Sequence, residues 1–596
     1  MLFLFSAAAA GFSPPRAAKR SYNERRRSFV EILQKYSLPP IYKSGWLRFF
    51  SIRNICEFCD GYPFIFLYAA FMFVSSLCGL EAIVYAVTAL LVVLICLFAK
   101  DTRAILPPAV LIVYSTSWMH TPQADSDFFN TTAAFVSLGV LGAIAVAMLA
   151  ARVFLVRRRE TLFARPQGLK GGMIALAAAF LLNGALSPGY VPEDLLFGAL
   201  IALSFVALYF FIRQTGARRA DNGLYFAVCC ASAGIVIFLQ IVYALLFRQV
   251  FCLTITISDL ASEPQIIRYY YYLSGLQILQ HFPCLQTLQH LLKNGSFISD
   301  QILQHFPCLQ TLQHLLKNGF FISDLSININ KDAMIAGWGM SNNFGGMLAM
   351  FLPASLYLAY KIRHGWIFYP FAFLQLAAVA CTLSRTALLT GGILLLGGAI
   401  LLSVVRSPRR TFIRVCNLLA VAAAVVGGVL FFDRIRELFA TIFDRGFGDS
   451  NRFAIWRFGM EKFLSSPLFG YGFYIRFYPD FGFDIANWVF PDMYHNIFVQ
   501  IFASCGLVGM VAYLYHISQV LCLLFRRPTA DRIFYLGVVL AVCGASLLDN
   551  HIFHIFPALL YSLALGLWEK DVYAETRGPL RARDRADGFL VRPSRR

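Results

Sequence analysis

One histidine and two arginines are the residues of this chain best suited to acid–base and anion chemistry. His495 directly precedes a long apolar stretch, and a neutral imidazole can accept a proton from a hydroxyl group near pH 7. Arg385 lies between two apolar stretches, and Arg452 begins an aromatic segment. A guanidinium costs about 2.5–3.5 kcal/mol at the centre of a membrane span, and its planar fork matches phosphate oxygens. These residues predict a base beside a pocket for a phosphate group.

The residues around this trio are of types that would support such a pocket. Trp456 lies one helical turn after the second arginine, in a helix whose N-terminus would add backbone donors for an anion. Tyr471 lies between two glycines, which allow the backbone to approach a ligand closely. Asn496 and Gln500 are one turn apart beside the histidine, where they would bond sugar hydroxyls or orient the imidazole.

Each of these residues also has a structural interpretation. Arg385 suits a snorkelling arginine that caps a helical hairpin. Arg452 suits a solvated arginine on an ordinary loop helix, and Arg457 is a nearby rival for the anion. His495, at the start of a helix, suits a cap or a structural hydrogen-bond donor. The residues alone leave these alternatives open.

The elements that must position these side chains are membrane helices. The chain has 596 residues, of which 58% are hydrophobic and only 14% are charged. Apolar runs long enough to cross a bilayer recur along it, so the sequence predicts an all-α, polytopic transmembrane bundle. About fourteen spans are expected, near 62–79, 81–99, 104–118, 132–155, 172–187, 194–212, 223–247, 338–360, 366–382, 385–404, 413–432, 498–525, 533–549 and 552–568.

The distribution of charge predicts the orientation of these spans. Every second short loop carries Lys or Arg, as in Arg157–Arg159, whereas the loops between them carry few. Because basic loops stay in the cytoplasm, both termini are expected to be cytoplasmic. The net charge of +19 therefore reflects topology and contact with membrane lipid, and no nucleic-acid partner is expected. Most of the fourteen cysteines lie in apolar runs and are interpreted as packing residues.

The same topology divides the chain into five parts. A basic cytoplasmic arm (1–61) precedes an N-terminal bundle of about seven spans (62–247) and a long extracytoplasmic loop (248–337). A second membrane region (338–568) contains the predicted catalytic loop (433–497), which is the other long extracytoplasmic loop, and a basic cytoplasmic tail (569–596) follows.

The first long loop contains a near-perfect tandem repeat. Gln277–Asp300 recurs as Gln301–Asp324, with a difference only at Ser296 and Phe320. Two units are too few for a solenoid, and such identity indicates a recent duplication. Each unit has the pattern of a short amphipathic helix that would lie in the membrane interface. Its His and Cys residues also permit a metal site, which is the weaker interpretation.

Several motifs together resemble the O-antigen ligase/polymerase family of bacterial membrane glycosyltransferases. They are Trp338–Asn343, Ser384-Arg385, Arg452 with Trp456, Pro467–Gly472, and His495-Asn496 with Gly506–Gly509. The resemblance covers roughly residues 335–525. The N-terminal half is similar only in being a run of spans, and the tandem repeat is not part of the family pattern.

The resemblance implies a reaction on the outer face of the bacterial cytoplasmic membrane. The donor would be a glycan on undecaprenyl diphosphate, and the acceptor another lipid-linked glycan, a lipid A core or a protein. Neither metal nor nucleotide nor any other cofactor is implied. Arg385 and Arg452 would hold the diphosphate, while His495 would activate the acceptor hydroxyl for inverting attack at the anomeric carbon.

Two other functions remain open at this stage. A transporter or flippase without catalytic activity would also have many spans and few membrane arginines, although no symmetry between halves is evident. A non-catalytic scaffold of a polysaccharide machine would not need His495. A second group of polar residues, Asp549-Asn550-His551 with His554, is either a helix-hairpin cap or a contact for the acceptor.

Overall fold

The computed structural model describes residues 58–99, 102–112, 132–155, 168–188, 190–215, 221–247, 251–259, 262–271, 321–329, 341–405, 409–430, 432, 452–473, 494–526 and 528–576. The expected basic arm up to Glu57, the tandem repeat up to Phe320 and the tail beyond Thr576 lie outside these residues, as does most of the predicted catalytic loop. Within them the chain is helical apart from one three-stranded sheet.

Within the described residues, seven α-helices precede the sheet. They are α1 (Tyr62–Cys78), α2 (Glu81–Phe98), α3 (Leu106–Leu111), α4 (Thr132–Leu155), α5 (Lys170–Leu186), α6 (Pro192–Thr215) and α7 (Asn222–Phe247). Their apolar sequences form helices because a bilayer offers no water to the backbone, so each N–H and C=O must be satisfied within the segment. The span expected at 104–118 is described only to Ile112, as a 3₁₀ turn followed by the short α3.

The part of the chain described after the sheet contains eight α-helices. They are α8 (Ser341–Lys361), α9 (Phe368–Cys381), α10 (Arg385–Val404), α11 (Arg410–Leu430), α12 (Arg452–Ser465), α13 (Ile497–Leu524), α14 (Ala530–Asp549) and α15 (Ile555–Thr576). Among all described helices, six are long and apolar enough to cross a membrane. The prediction of a multi-pass helical membrane protein is confirmed, while the count of fourteen spans stays a prediction.

A small antiparallel sheet occupies the first long loop. Its strands are β1 (Phe251–Asp259), β2 (Ser262–Tyr271) and β3 (Phe321–Ile329), in the order β2-β1-β3. Phe251 of the central strand pairs with Tyr271 on one side and with Ile329 on the other. The sequence analysis did not predict these strands, although alternating β-branched residues such as Thr254–Ile257 favour them. The helix expected in each repeat unit lies outside the described residues.

Helix α8 is the central support of the C-terminal region, and α10 runs in the same direction beside it. A methyl group on Gly345 of α8 would lie 3.2 Å from Cβ of Ala387, near the start of α10. Further along both helices, a methyl group on Gly398 of α10 would lie 2.4 Å from Cδ1 of Leu356. Contacts that advance along both helices together show that α8 and α10 are parallel.

Helix α14 packs against α8 in the opposite direction. A methyl group on Gly537 would lie 3.0 Å from Cβ of Pro353, and the last residue of α8, Lys361, forms an ion pair of 3.0 Å with Asp531 near the start of α14. The first turns of α8 and α10 and the last turn of α14 therefore lie at one end of the bundle, which we call the site end.

Candidate active site

One buried carboxylate at the site end joins two of the residues singled out from the sequence. Nη2 of Arg452, at the start of α12, lies 3.0 Å from Oδ1 of Asp549, the last residue of α14. Nδ1 of His495 lies 3.4 Å from the same oxygen. The Asp549 side chain is only 4% exposed, whereas those of Arg452 and His495 are 22% and 29% exposed. Asp549 thus holds a guanidinium and an imidazole at the edge of the protein.

The backbone around His495 is fixed by the start of α13. His495 has φ of +51°, and Asn496 caps the helix by accepting hydrogen bonds from Phe498 N at 2.9 Å and Val499 N at 3.2 Å. Such a cap typically stabilises a helix by about 1 kcal/mol. Because its side-chain oxygen is used in the cap, the expectation that Asn496 binds a sugar stays a prediction for its amide NH2 alone.

Gln500 ties together the two segments that carry His495 and Asp549. Its Oε1 accepts hydrogen bonds from Tyr494 N at 3.1 Å and from Asn550 Nδ2 at 2.6 Å. Its Nε2 donates to Oγ of Ser504 at 2.9 Å. With 1% of the residue exposed, this arrangement favours positioning of the imidazole, which was one of the two roles expected for Gln500, over contact with a sugar.

Arg385 lies at the same end of the bundle but does not contact the other two residues. Thr390 of α10 packs on Gly544 of α14, where a methyl group would lie 3.0 Å from Cγ2 of the threonine. Because α10 and α14 are antiparallel, Arg385 and Asp549 are each about 7.5 Å of helical rise from this contact, toward the site end. Arg385 is exposed and forms no hydrogen bond or ion pair within the described chain.

Trp456 and Tyr471 lie on the segment that begins with Arg452. Trp456 packs edge-on against Phe453, with ring centroids 5.2 Å apart, and its buried Nε1 has no hydrogen-bond partner among the described residues. Tyr471 lies deeper, since its N donates to Ala503 O at 2.7 Å, about 9 Å of rise below the start of α13. Nζ of Lys462 lies 4.1 Å from the centre of its ring.

A break in α13 at Gly506 fixes the position of the segment 467–472, which follows α12. Gly506 has φ of +60° and ψ of −156°, a conformation that L side chains rarely adopt. The N–H groups of Leu507 and Val508 donate to Pro467 O and Leu468 O at 2.8 and 3.1 Å. Non-helical backbone at membrane depth is tolerated where protein satisfies it. These bonds fix the depth of the segment, and thereby the height of Arg452 relative to His495.

Backbone strain marks three turns at the site end, which lie before α10, before α13 and after α14. Within the described residues, positive φ at a non-glycine position occurs only at Leu383, His495 and Asn550. The first precedes the Ser384 cap of α10, the second is the candidate base, and the third follows Asp549. Such residues cost about 1–3 kcal/mol each and cluster at functional sites. The coincidence supports one site built from the three turns.

Two further histidines lie in the turn between α14 and α15. Burial lowers the pKa of His551, although the nearby Asp549 carboxylate opposes this effect and His495 adds to it. Burial, with a contribution from His551, lowers the pKa of His554 to about 3. Both imidazoles are therefore neutral at pH 7. The sequence interpretation of this turn as a hairpin cap is correct for Asn550, which ends α14 in the left-handed conformation, but it missed the central place of Asp549.

Comparison with known proteins assigns part of this region to a family. No curated protein and no solved structure matches the chain. Residues 370–514 match the family model described as O-antigen ligase. This range includes Arg385, Arg452 and His495, whereas Asp549 lies beyond it. The family expected from the sequence motifs is confirmed, and the chain carries an O-antigen ligase family domain at residues 370–514.

Proposed function

We propose that this protein is a membrane glycosyltransferase that moves a glycan from undecaprenyl diphosphate to an acceptor hydroxyl. The observation that carries the proposal is the shared contact of Arg452 and His495 with Asp549, at 3.0 and 3.4 Å. It supports the proposal because a guanidinium and an imidazole lie at one carboxylate, within or beside the region that matches the O-antigen ligase family. The product is a ligated or polymerised glycan, according to the acceptor.

His495 is the base of the proposed reaction. Its Nδ1 faces Asp549, so the carboxylate favours the tautomer in which Nδ1 carries the proton and Nε2 accepts one. Nε2 takes the proton of the acceptor hydroxyl while that oxygen bonds to the anomeric carbon. The bond from this carbon to the diphosphate oxygen breaks, and its electron pair leaves with the diphosphate. A single displacement of this kind inverts the anomeric centre.

The two arginines offset the charge on the departing diphosphate. Arg452 uses Nη2 toward Asp549, which leaves further guanidinium donors for a phosphate oxygen. Arg385 is exposed and has no ion-pair partner within the described chain, so its whole fork is available. Preorganised cations stabilise a transition state most where negative charge develops, which is the diphosphate in this reaction.

The proposed orientation puts the site end on the extracytoplasmic side and both termini in the cytoplasm. The alternation of basic and non-basic loops along the sequence supports it, as does Lys361 at the opposite end of α8. Green fluorescent protein fused to the C-terminus should fluoresce, while alkaline phosphatase fused there should be inactive. The reverse pattern would contradict the orientation.

Transfer by the purified protein tests the proposed reaction. Full-length protein in detergent would be given a polyprenyl-diphosphate glycan and an acceptor, and His495→Ala should lower turnover by about 10²–10⁴-fold. The matched control is His364→Ala, at an exposed histidine of the other end of the bundle. Wild-type turnover in the His495 variant would remove this residue as the base.

The same assay separates the enzyme from a transporter or flippase. The broken helix α13 is a feature that transporters share, but its freed backbone groups are bonded to the segment 467–472 rather than left for a ligand. A transporter moves its substrate between two compartments and forms no glycosidic bond. Formation of this bond in detergent micelles would therefore exclude a transporter without catalytic activity. Absence of transfer by folded wild-type protein with every acceptor class would favour transport or a scaffold.

A further inference from the structure

His551 is a buried polar side chain with unused hydrogen-bonding capacity. The residue is 2% exposed, its ring forms no hydrogen bond with any described residue, and its nitrogens are not fully enclosed. An imidazole with little exposed surface and unused hydrogen-bonding capacity is available to a partner that binds at the site end.

Two glycines bring His551 and the turn of Arg385 to adjacent faces of α8. A methyl group on Gly346 would lie 2.6 Å from Nε2 of His551, so the ring rests directly on the helix backbone. A methyl group on the preceding Gly345 would lie 2.5 Å from Oγ1 of Thr382 and 3.2 Å from Cβ of Ser384, the cap before Arg385. The imidazole and the turn that precedes Arg385 therefore flank the same turn of α8.

The charges around His551 favour an anionic partner. Asp549 is the acidic residue beside it, and that carboxylate already pairs with Arg452 at 3.0 Å. The first turns of α8 and α10 both lie at this end, and helix N-termini carry partial positive charge. A neutral imidazole at pH 7 adds an N–H donor without adding repulsion between cations. The N–H group of His551 and the first turns of α8 and α10 would therefore favour phosphate oxygens bound between Arg385 and Arg452.

We propose that His551 hydrogen-bonds the diphosphate of the polyprenyl carrier, between Arg385 and Arg452. The inference rests on the proposed function and adds a substrate-binding residue that lies outside the region matched by the family. Gly346 is the positioning residue of this contact, because only a glycine leaves room for the ring. A phospholipid headgroup carries similar phosphate oxygens, so the test must distinguish the two sources.

Binding to full-length protein in phosphatidylcholine nanodiscs tests the inference. Undecaprenyl diphosphate is titrated, and the Kd is taken from the quenching of tryptophan fluorescence. A hydrogen bond to a charged group contributes enough that His551→Ala should raise the Kd about tenfold or more. His551→Gln keeps a donor and should stay within about threefold of wild type. Gly346→Ala displaces the ring and should weaken binding like His551→Ala.

Gly392→Ala is the matched control, since a methyl group there meets no atom within 4 Å, and its Kd should equal that of wild type. Unchanged affinity in both His551→Ala and Gly346→Ala, with wild type binding, would overturn the role of His551 alone. No binding by wild type would overturn the proposed function as well. Equal loss of affinity for phosphatidylglycerol would assign His551 to a lipid headgroup and overturn the diphosphate assignment. If His551→Ala fails to fold, His551→Gln and Gly346→Ala provide the test. The inference then requires near wild-type affinity in His551→Gln and weaker binding in Gly346→Ala.

Discussion

Oδ1 of Asp549 lies 3.0 Å from Nη2 of Arg452, across 97 positions of sequence. Arg452 begins the segment that descends along α13, and Asp549 ends α14. The ion pair therefore connects the loop segment to the membrane bundle at the height of His495. Because the Asp549 side chain is only 4% exposed, loss of Arg452 would leave a buried carboxylate without its ion-pair partner, which is costly.

The first prediction concerns this carboxylate. Asp549→Asn keeps the shape of the side chain but removes the charge that holds both Arg452 and His495. Turnover should fall by about 10²-fold or more, because the imidazole loses the group that favours its accepting tautomer. The control is Asp531→Asn, which breaks the ion pair with Lys361 at the opposite end of the bundle. Similar turnover in both variants would contradict the proposed role.

The second prediction separates charge from shape at the two arginines. Arg385→Lys and Arg452→Lys keep a positive charge but lose the planar fork that binds two phosphate oxygens at once. Both variants should lose about tenfold or more in kcat/KM for the polyprenyl-diphosphate donor. Arg457→Lys, in the same helix as Arg452 but 83% exposed, should behave as wild type. Full activity of both lysine variants would show that a point charge is enough.

The third prediction tests the packing of segment 467–472 against α13, next to the break of this helix at Gly506. A methyl group on Gly470, at φ of +76°, would lie 2.3 Å from the carbonyl carbon of Ser504. Gly470→Ala should therefore lower thermal stability and activity together, since strained φ alone costs about 1–3 kcal/mol. Gly397→Ala, whose added methyl group meets no atom within 4 Å, should do neither. Thermal unfolding in detergent gives the comparison, and equal melting temperatures would contradict the described packing.

The fourth prediction concerns the duplicated segment. Strand β3 begins at Phe321, so its first four residues are the last four of the second repeat copy. Deletion of Gln301–Asp324 joins the matching end of the first copy to Leu325 and restores the same nine-residue strand sequence. Activity and stability should be largely retained. Removal of both copies, Gln277–Asp324, truncates the strand and should lower stability. Complete loss of activity in the shorter deletion would show that the second copy is required.

The fifth prediction is a dependence of stability on pH. The pKa of His554 is lowered to about 3 and that of His551 is also lowered, below the value of about 6.5 in an unfolded chain. Between these values the unfolded state binds more protons. Protonation of these two histidines therefore does not lower the free energy of unfolding above about pH 6.5, and it lowers this free energy progressively as the pH falls toward 3. His554→Gln should reduce the loss of melting temperature between pH 7 and pH 5. An unchanged loss would contradict burial of this imidazole.

The comparison of sequence and structure is clearest at three positions. The cap formed by Asn496 and the start of α10 at Arg385 follow from local sequence, because capping involves neighbours along the chain. Gln500 was expected to act beside His495, but its hydrogen bond to Asn550 at 2.6 Å joins segments that no local pattern connects. The strands of the first loop were missed because a strand depends on partners elsewhere in the chain.

The sequence by itself determined the membrane helices and the family of residues 370–514, since apolar runs must form helices in a bilayer and the motifs are local. Only the tertiary structure decided that Asp549 joins Arg452 to His495 and that His551 rests on Gly346. The physical reason is that such contacts depend on how distant helices pack. A glycine or a carboxylate in one helix carries no signal of the neighbour that will meet it.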